Sequence, residues 1–246
     1  MSSQFALLGQ RRYGPFFVTQ ALGALNDNVF KNALVIVATY RTAEYSGMDP
    51  KVLAQVAGGL FILPFLLFSA MAGQFADKYD KAALMRVVKV AEIFIMVLAA
   101  AGFLLKSLPL LLAALFLAGT QSAFFGPAKY GLLPQVLDTR ELTGGNALLE
   151  TGTFLAILMG TLLAGLLAAQ AAPEPLVAAL LGFAVLGVVA AWFIPPQSAA
   201  DPALRIDWNP LRTTWQTFRY ARGNGTVFRS LIGISWFWAL GAVVLS

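Results

Sequence analysis

Long apolar runs follow one another along almost the whole sequence, and they constrain the fold more than any other feature. Six complete runs extend approximately over Gly14 to Tyr40, Leu53 to Ala76, Met85 to Leu105, Leu108 to Val136, Asn146 to Ala171 and Pro175 to Ile194. A seventh starts near Phe228 and is still apolar at Ser246. A helix crosses a bilayer with about 20 mostly apolar residues, so each complete run has the length of a span. The breaks Lys106-Ser107-Leu108-Pro109 and Ala172-Pro173-Glu174-Pro175 are very short. Proline cannot continue a helix and biases the residue before it away from helical dihedrals, which predicts tight helical hairpins. The expected fold class is all-α integral membrane.

Composition agrees. Charged residues make up 12% of the 246 residues and hydrophobic ones 59%, against about 25% charged in a soluble domain. Mean hydropathy is +0.73. The sequence has no Cys and no His. Disulfides, thiolate metal sites, His-ligated zinc and a Ser-His-Asp triad are therefore excluded. The few carboxylates are scattered, so no enzyme chemistry, metal or cofactor is expected. The net charge of +5 punctuates apolar runs rather than forming a solvated basic face, so nucleic acid is not an expected partner.

The basic residues set an expected orientation. With a cytoplasmic N-terminus, the inside segments hold Arg11, Arg12, Lys78, Lys81, Arg86, Lys89, Arg140, Arg205, Arg212, Arg219, Arg222 and Arg229. The outside loops hold only Arg41, Lys51 and Lys106, while Lys31 and Lys129 fall inside spans. This is a strong positive-inside bias. The segment from Met1 to Tyr13 precedes a span too long and too polar for a cleaved signal, so an uncleaved first helix is expected.

Three parts are expected: a six-helix bundle over residues 1–194, a cytoplasmic linker over 195–227, and a seventh span over 228–246. In the linker, Trp208, Leu211, Trp215 and Phe218 follow helical spacing, with Arg205, Arg212 and Arg219 on a neighbouring face. This reads as an amphipathic helix on the inner membrane surface, serving as a topology anchor. Six helices, an internal linker and a new first helix are the plan of many secondary transporters. The sequence is thus expected to be part of a longer protein, whose C-terminal six-helix bundle is a required partner.

Ionisable groups inside a span are functional candidates. In the first run, Asn26, Asp27, Asn28, Lys31 and Asn32 form a polar stripe, and Asp27 and Lys31 are four residues apart and able to pair. In the fourth run, Gln121, Ser122 and Lys129 do the same, with a kink expected at Gly126-Pro127. The candidate substrate-binding set is Asn26, Asp27, Asn28, Lys31, Gln121 and Lys129. These helices lead two three-helix repeats, a weak internal symmetry that fits a central cavity. Glu92 and Glu150 are further candidates, although both stand near the cytoplasmic ends, where a surface carboxylate is the commoner explanation. Gly152, Gly160 and Gly165 are expected to permit close helix packing.

The segment Gly73-Gln74-Phe75-Ala76-Asp77-Lys78-Tyr79-Asp80-Lys81, followed by Arg86, resembles the Gly-x-x-x-Asp-Arg/Lys-x-Gly-Arg/Lys loop of the major facilitator superfamily, with Asp80 in place of the usual Gly. Gly73, Asp77, Lys78, Asp80 and Lys81 are its candidate gating residues. Gly73 would let helices approach, Asp77 would cap a helix or bind a cation across the bundle, and the lysines would hold the loop inside. Phe16 to Asn28, Phe125 to Pro134 and Leu142 to Glu150 resemble the bacterial lysophospholipid transporter family over essentially the whole chain, as its N-terminal half. That resemblance implies movement of lysophospholipid from the outer to the inner leaflet of the bacterial inner membrane. It also implies an acyltransferase and an acyl-ACP synthetase as neighbours or fused domains, and places Asp27 and Lys129 in the headgroup pocket. Membrane lipids are the surroundings. Alternatives are a facilitator of a small polar solute or drug, and the membrane half of a fused acyltransferase. The chain alone is expected to be inactive, because half of the cavity is absent.

Overall fold

A computed structural model describes residues 4–41, 45, 49–170 and 172–245. Residues 1–3, Ala171 at the expected end of the fifth run and Ser246 in the seventh lie outside the described residues. Among the described residues a 3₁₀ helix, Gln4–Gly9, precedes the long α-helices α1 Gly14–Tyr40, α2 Pro50–Lys78, α3 Lys81–Leu104, α4 Leu108–Val136, α5 Leu142–Ala168, α6 Glu174–Trp192, α7 Pro210–Arg222 and α8 Gly225–Leu245.

Several helices begin before their apolar runs because polar residues cap them. Asp49 accepts from the backbone N–H groups of Lys51 and Val52 at the start of α2. Asp80 accepts from Ala82 at 2.9 Å and so starts α3 at Lys81, four residues before the expected Met85. Asn224 accepts from Thr226 and Val227 and starts α8 at Gly225 rather than Phe228. Such side chains satisfy N–H groups that the first turn leaves orphaned. The α3–α4 hairpin is as tight as the sequence suggests. Lys106 takes φ 53° there, and Ser107 N–H returns to Gly102 O at 2.9 Å.

Helices α2 to α6 are each long and apolar enough to cross a membrane. Helix α1 has 27 residues, about 40 Å at 1.5 Å per residue, but its polar stripe lowers its hydropathy. Large apolar side chains point outward, including Ile62, Leu66, Phe94 and Leu166. In water such a surface would be an association patch; in a bilayer it can face lipid or further helices.

The packing is built twice. Helix α1 packs extensively on α5 and α6, α4 packs on α2 and α3, and α3 meets α6. Exchanging each helix for the one three places later leaves this scheme unchanged, so the expected pair of three-helix repeats is visible in the contacts. Close approach is a glycine property here. A Cβ on Gly160 would stand 2.7 Å from Leu25 O on α1, and one on Gly119 would collide with Phe61 O on α2. Gly152 makes room for Phe17 in the same way, whereas a Cβ on Gly165 or Gly73 would meet open space among the described residues.

The core has two apolar layers. One gathers Phe30, Leu34, Met96, Phe103, Leu111 and Leu180. The other gathers Phe16, Met85, Val88, Leu132, Leu149 and Ala191. On α1, α3 and α4 the residues between these layers are polar and buried: Gln20, Asn26, Lys89, Glu92 and Gln121.

The N-terminus is clasped to the α4–α5 turn. Arg12 donates to Val136 O and to Glu141 Oε1, each at 2.7 Å, and Tyr13 OH donates to Gly145 O at 2.7 Å. The Arg12 hydrogen bond, with a second from Asp138 N–H, holds the Glu141 carboxyl below the usual glutamate range. Glu141 in turn raises the Arg12 guanidinium. A depressed carboxyl stabilises the folded state above its unfolded pKa, about 4.3, and that contribution is lost as pH falls through the lower folded value. Amide protection of residues 4–13 should therefore be constant from about pH 5 to 8 and fall below the ordinary glutamate pKa. Glu141→Gln should abolish that acid step, as read by hydrogen exchange corrected for intrinsic rates.

Candidate functional site

Between the two apolar layers lies a cavity of about 290 Å³. Its polar lining is Gln20, Asp27, Asn28, Lys89, Gln121, Ser122, Lys129, Tyr130 and Thr153, and its walls include Phe61, Phe65, Phe125 and Ile157. It is thus formed by α1, α2, α3, α4 and α5. Of the residues expected from sequence to bind substrate, Asp27, Asn28, Gln121 and Lys129 line it, while Asn26 donates to Glu92 and Lys31 stands over the wall residue Phe61.

Asp27 accepts a 2.6 Å hydrogen bond from Ser122 Oγ on α4. Ser122 also lies 3.2 Å from Gln121 Oε1, but a hydroxyl has one proton and the shorter contact takes it. The pairing expected from the four-residue spacing of Asp27 and Lys31 is not formed. Lys31 Nζ instead stands 5.6 Å from the centre of the Phe61 ring. Cation and ring attract because the ring face is negative, and Phe61 is within reach because α2 packs beside α1. Asn28 turns back to Ala24 O, and Asn32 reaches Thr161 Oγ1 on α5.

The floor is organised by a residue that sequence reasoning misplaced. Glu92, expected at the surface, is 1% exposed. Its Oε1 accepts from Asn26 Nδ2 at 2.9 Å, and its Oε2 accepts from Lys89 Nζ at 2.6 Å and Gln121 Nε2 at 3.2 Å. Three helices therefore meet at one carboxylate. Lys89, expected among the inner-surface cations, is also 1% exposed and lies 5.5 Å from the Phe125 ring centre. Gly23 on α1 admits its ammonium, since a Cβ there would collide with it. The available signal was the Lys89-x-x-Glu92 spacing, which puts opposite charges on one helix face. Asn26 Oδ1 is buried with no hydrogen-bond partner among the described residues, because its amide is turned to serve Glu92.

Lys129 is buried as well, 3.7 Å from Glu150 on α5 and 4.8 Å from the centre of its neighbour Tyr130. Tyr130 OH also donates to Glu150 at 2.9 Å. Helix α4 runs unbroken through Gly126 and Pro127, and Gly126 faces the cavity with open space where a Cβ would be.

The α2–α3 loop differs from expectation in which acid caps. Asp80 caps α3, while Asp77 is exposed and its backbone carbonyl accepts from Asp201 N–H at 2.9 Å. The replacement of glycine by Asp80 explains this, because it puts a capping side chain immediately before the helix. Asp80 also accepts from Gln197 N–H, and Gln74 exchanges two hydrogen bonds with the Asp207 backbone, so the linker is stitched across this loop. Lys78 lies 5.8 Å from the Tyr79 ring centre. Lys81, expected with Lys78 to hold the loop on the cytoplasmic side, is buried against Gly131, and its Nζ has no hydrogen-bond partner among the described residues.

The sequence profile described as Major Facilitator Superfamily matches residues 16–246. Lysophospholipid transporter LplT of Salmonella heidelberg is 32% identical over 231 residues, covering 92% of this chain and 54% of the relative. The proteins of the same name from Escherichia fergusonii and Escherichia coli O1:K1 are 31% and 30% identical over 238 and 230 residues, with the same coverage. The chain spans about half the length of the curated relatives it matches.

Breaking a buried ion pair by removing one partner costs about 3–5 kcal/mol, whereas replacing both by apolar groups is often neutral. Glu92→Ala should therefore destabilise the protein by about that amount, and Lys89→Met combined with Glu92→Met by much less. Thermal unfolding in detergent measures both.

Proposed function

The chain belongs to the major facilitator superfamily, a multi-pass membrane protein, and on that premise we propose that it is the N-terminal half of a lysophospholipid transporter. The observation that carries the reading is the buried charged cavity between two apolar layers. It offers Asp27 to an ammonium and Lys129 to a phosphate, beside the aromatic walls Phe61, Phe65 and Phe125. A zwitterionic phosphoethanolamine headgroup needs both charges, while its acyl tail needs only apolar surroundings. The names of the relatives support this substrate class.

Movement proceeds from the outer to the inner leaflet of the bacterial inner membrane, by alternating access of this bundle against a second one. The N-terminus is cytoplasmic, in accord with the excess of Lys and Arg in the segments assigned to that side. Residues 1–194 form the bundle, 195–227 the linker and 228–246 the first helix of the second bundle. The acyltransferase and acyl-ACP synthetase implied by the family consume the delivered lipid.

Asp27 and Lys129 each offer a charge-assisted hydrogen bond, worth about 1.5–3 kcal/mol. In spheroplasts without other lysophospholipid uptake, the full-length protein should import labelled lysophosphatidylethanolamine. Asp27→Ala or Lys129→Ala should lower uptake by about tenfold or more at unchanged membrane levels. Normal uptake by both variants would remove these residues from the path. No uptake by the unaltered protein would move the assignment to a small polar solute.

A further inference from the structure

We propose that a furrow on the outside of the bundle, between α5 and α6, binds one acyl chain of a resident anionic phospholipid whose phosphate is met by Arg11. The site is separate from the charged cavity, and its lipid is held rather than carried.

Helices α5 and α6 both pack on α1 but barely touch each other, which leaves a furrow over α1 between them. It encloses about 450 Å³, and its lining is almost wholly apolar. Val18, Leu22 and Leu25 of α1, Gly152, Met159 and Leu163 of α5, and Phe183 of α6 contribute to that lining. Thr153 and Ile157 are the residues that α5 gives to the charged cavity. Gly152 is turned about 100° from Thr153 around the helix axis. Helix α5 therefore separates the two sites, and the occupant of the furrow is not the tail of a lipid whose headgroup sits on Asp27.

Length selects the occupant. At 1.5 Å per residue the lining runs about 12 Å along α1, from Phe17 to Leu25, and about 17 Å along α5, from Gly152 to Leu163. The hydrocarbon of one leaflet is about 15 Å deep, half of the bilayer core. A helix of a second bundle crosses both leaflets and needs a furrow of twice that length. This one is closed at mid-depth, where Leu25, Leu163 and Phe183 pack against the layer around Phe30. A single acyl chain fits it, in the leaflet next to the N-terminus.

The open end has the chemistry of a headgroup site. Gly14 N–H bonds Gln10 O at 2.8 Å, so the helical spiral of α1 continues back through Arg11. Arg11 stands seven residues before Val18, on the same side of that spiral. It is exposed, and no carboxylate pairs with it among the described residues, whereas its neighbour Arg12 is taken by Glu141. Trp192 and Phe193, exposed at the end of α6 on the same side of the membrane, have the character of an aromatic belt at headgroup level. An anionic headgroup gives its whole charge to Arg11, while a zwitterionic one brings its own ammonium.

Native mass spectrometry tests this on the full-length protein, extracted from membranes of phosphatidylethanolamine and phosphatidylglycerol. The protein should retain one phospholipid, enriched in phosphatidylglycerol relative to the membrane. Ala21 lines the furrow, and Ala21→Phe should lower retention by about tenfold, the effect of overfilling a packed site. Val97→Phe, at an exposed position on α3, should leave it unchanged. Arg11→Gln should lower the phosphatidylglycerol enrichment by about fivefold, the worth of one basic residue against an anionic headgroup. Excess lysophosphatidylethanolamine should not displace the retained lipid. The proposal is overturned by equal retention in Ala21→Phe and Val97→Phe, or by no retained lipid in the unaltered protein. Unchanged enrichment in Arg11→Gln, or displacement by the lysolipid, overturns it too. If Ala21→Phe does not reach the membrane, Met159→Trp is read in its place, at a half-exposed position of the same furrow, with the same loss expected. These readouts depend neither on transport nor on which side of the membrane holds the N-terminus, so their failure is distinct from failure of the substrate reading.

Discussion

The carboxylate of Glu92 is the constraint on which the rest of the site depends. It is buried where an ion would be most costly, and it is tolerated because three donors from α1, α3 and α4 converge on it. Such a hub stabilises little compared with an apolar core of equal volume, because desolvating the charges offsets much of their attraction. Its effect is on specificity. It fixes the rotation of three helices relative to one another, and so fixes which side chains of each face the cavity.

That layer is possible because the apolar packing is divided in two. The layer around Phe30, Met96 and Leu111 and the layer around Phe16, Met85 and Leu132 each bury mainly aliphatic and aromatic side chains. The polar stratum lies between them at a depth where lipid would not tolerate it, yet inside the protein its groups find partners. Glycines at Gly23, Gly119 and Gly160 bring backbones and the Lys89 ammonium close. The exchange symmetry of the helix contacts puts α1 and α4, the two helices with polar stripes, at equivalent positions beside the cavity.

Much of this was legible in the sequence. The six runs marked the six bundle helices because hydrocarbon thickness fixes a length that few other environments require. Asp27, Asn28, Gln121 and Lys129 stood out because polar residues interrupt apolar runs there, and the structure brings them to one cavity. Glu92 and Lys89 were misplaced because their distance from a helix end suggested the membrane surface, while depth inside a bundle depends on which face a residue occupies. The Asp27–Lys31 spacing allowed a pair, but partners on other helices, Ser122 and Phe61, compete with the local one. The cap of α3 falls to Asp80 rather than Asp77 because the capping acid must stand just before the first helical residue.

The most direct measurement of the central claim is whether a lysophospholipid headgroup occupies this cavity. A photoreactive residue would replace Ile157, which lines it, or Leu186, which is exposed on α6. Each full-length variant would be illuminated in membranes with labelled lysophosphatidylethanolamine and the adduct located by mass spectrometry. The account predicts labelling at position 157 that excess unlabelled lysolipid displaces, and only undisplaced background at position 186. Equal, non-displaceable labelling at both positions would show the lipid acting as solvent around the bundle and would contradict the account.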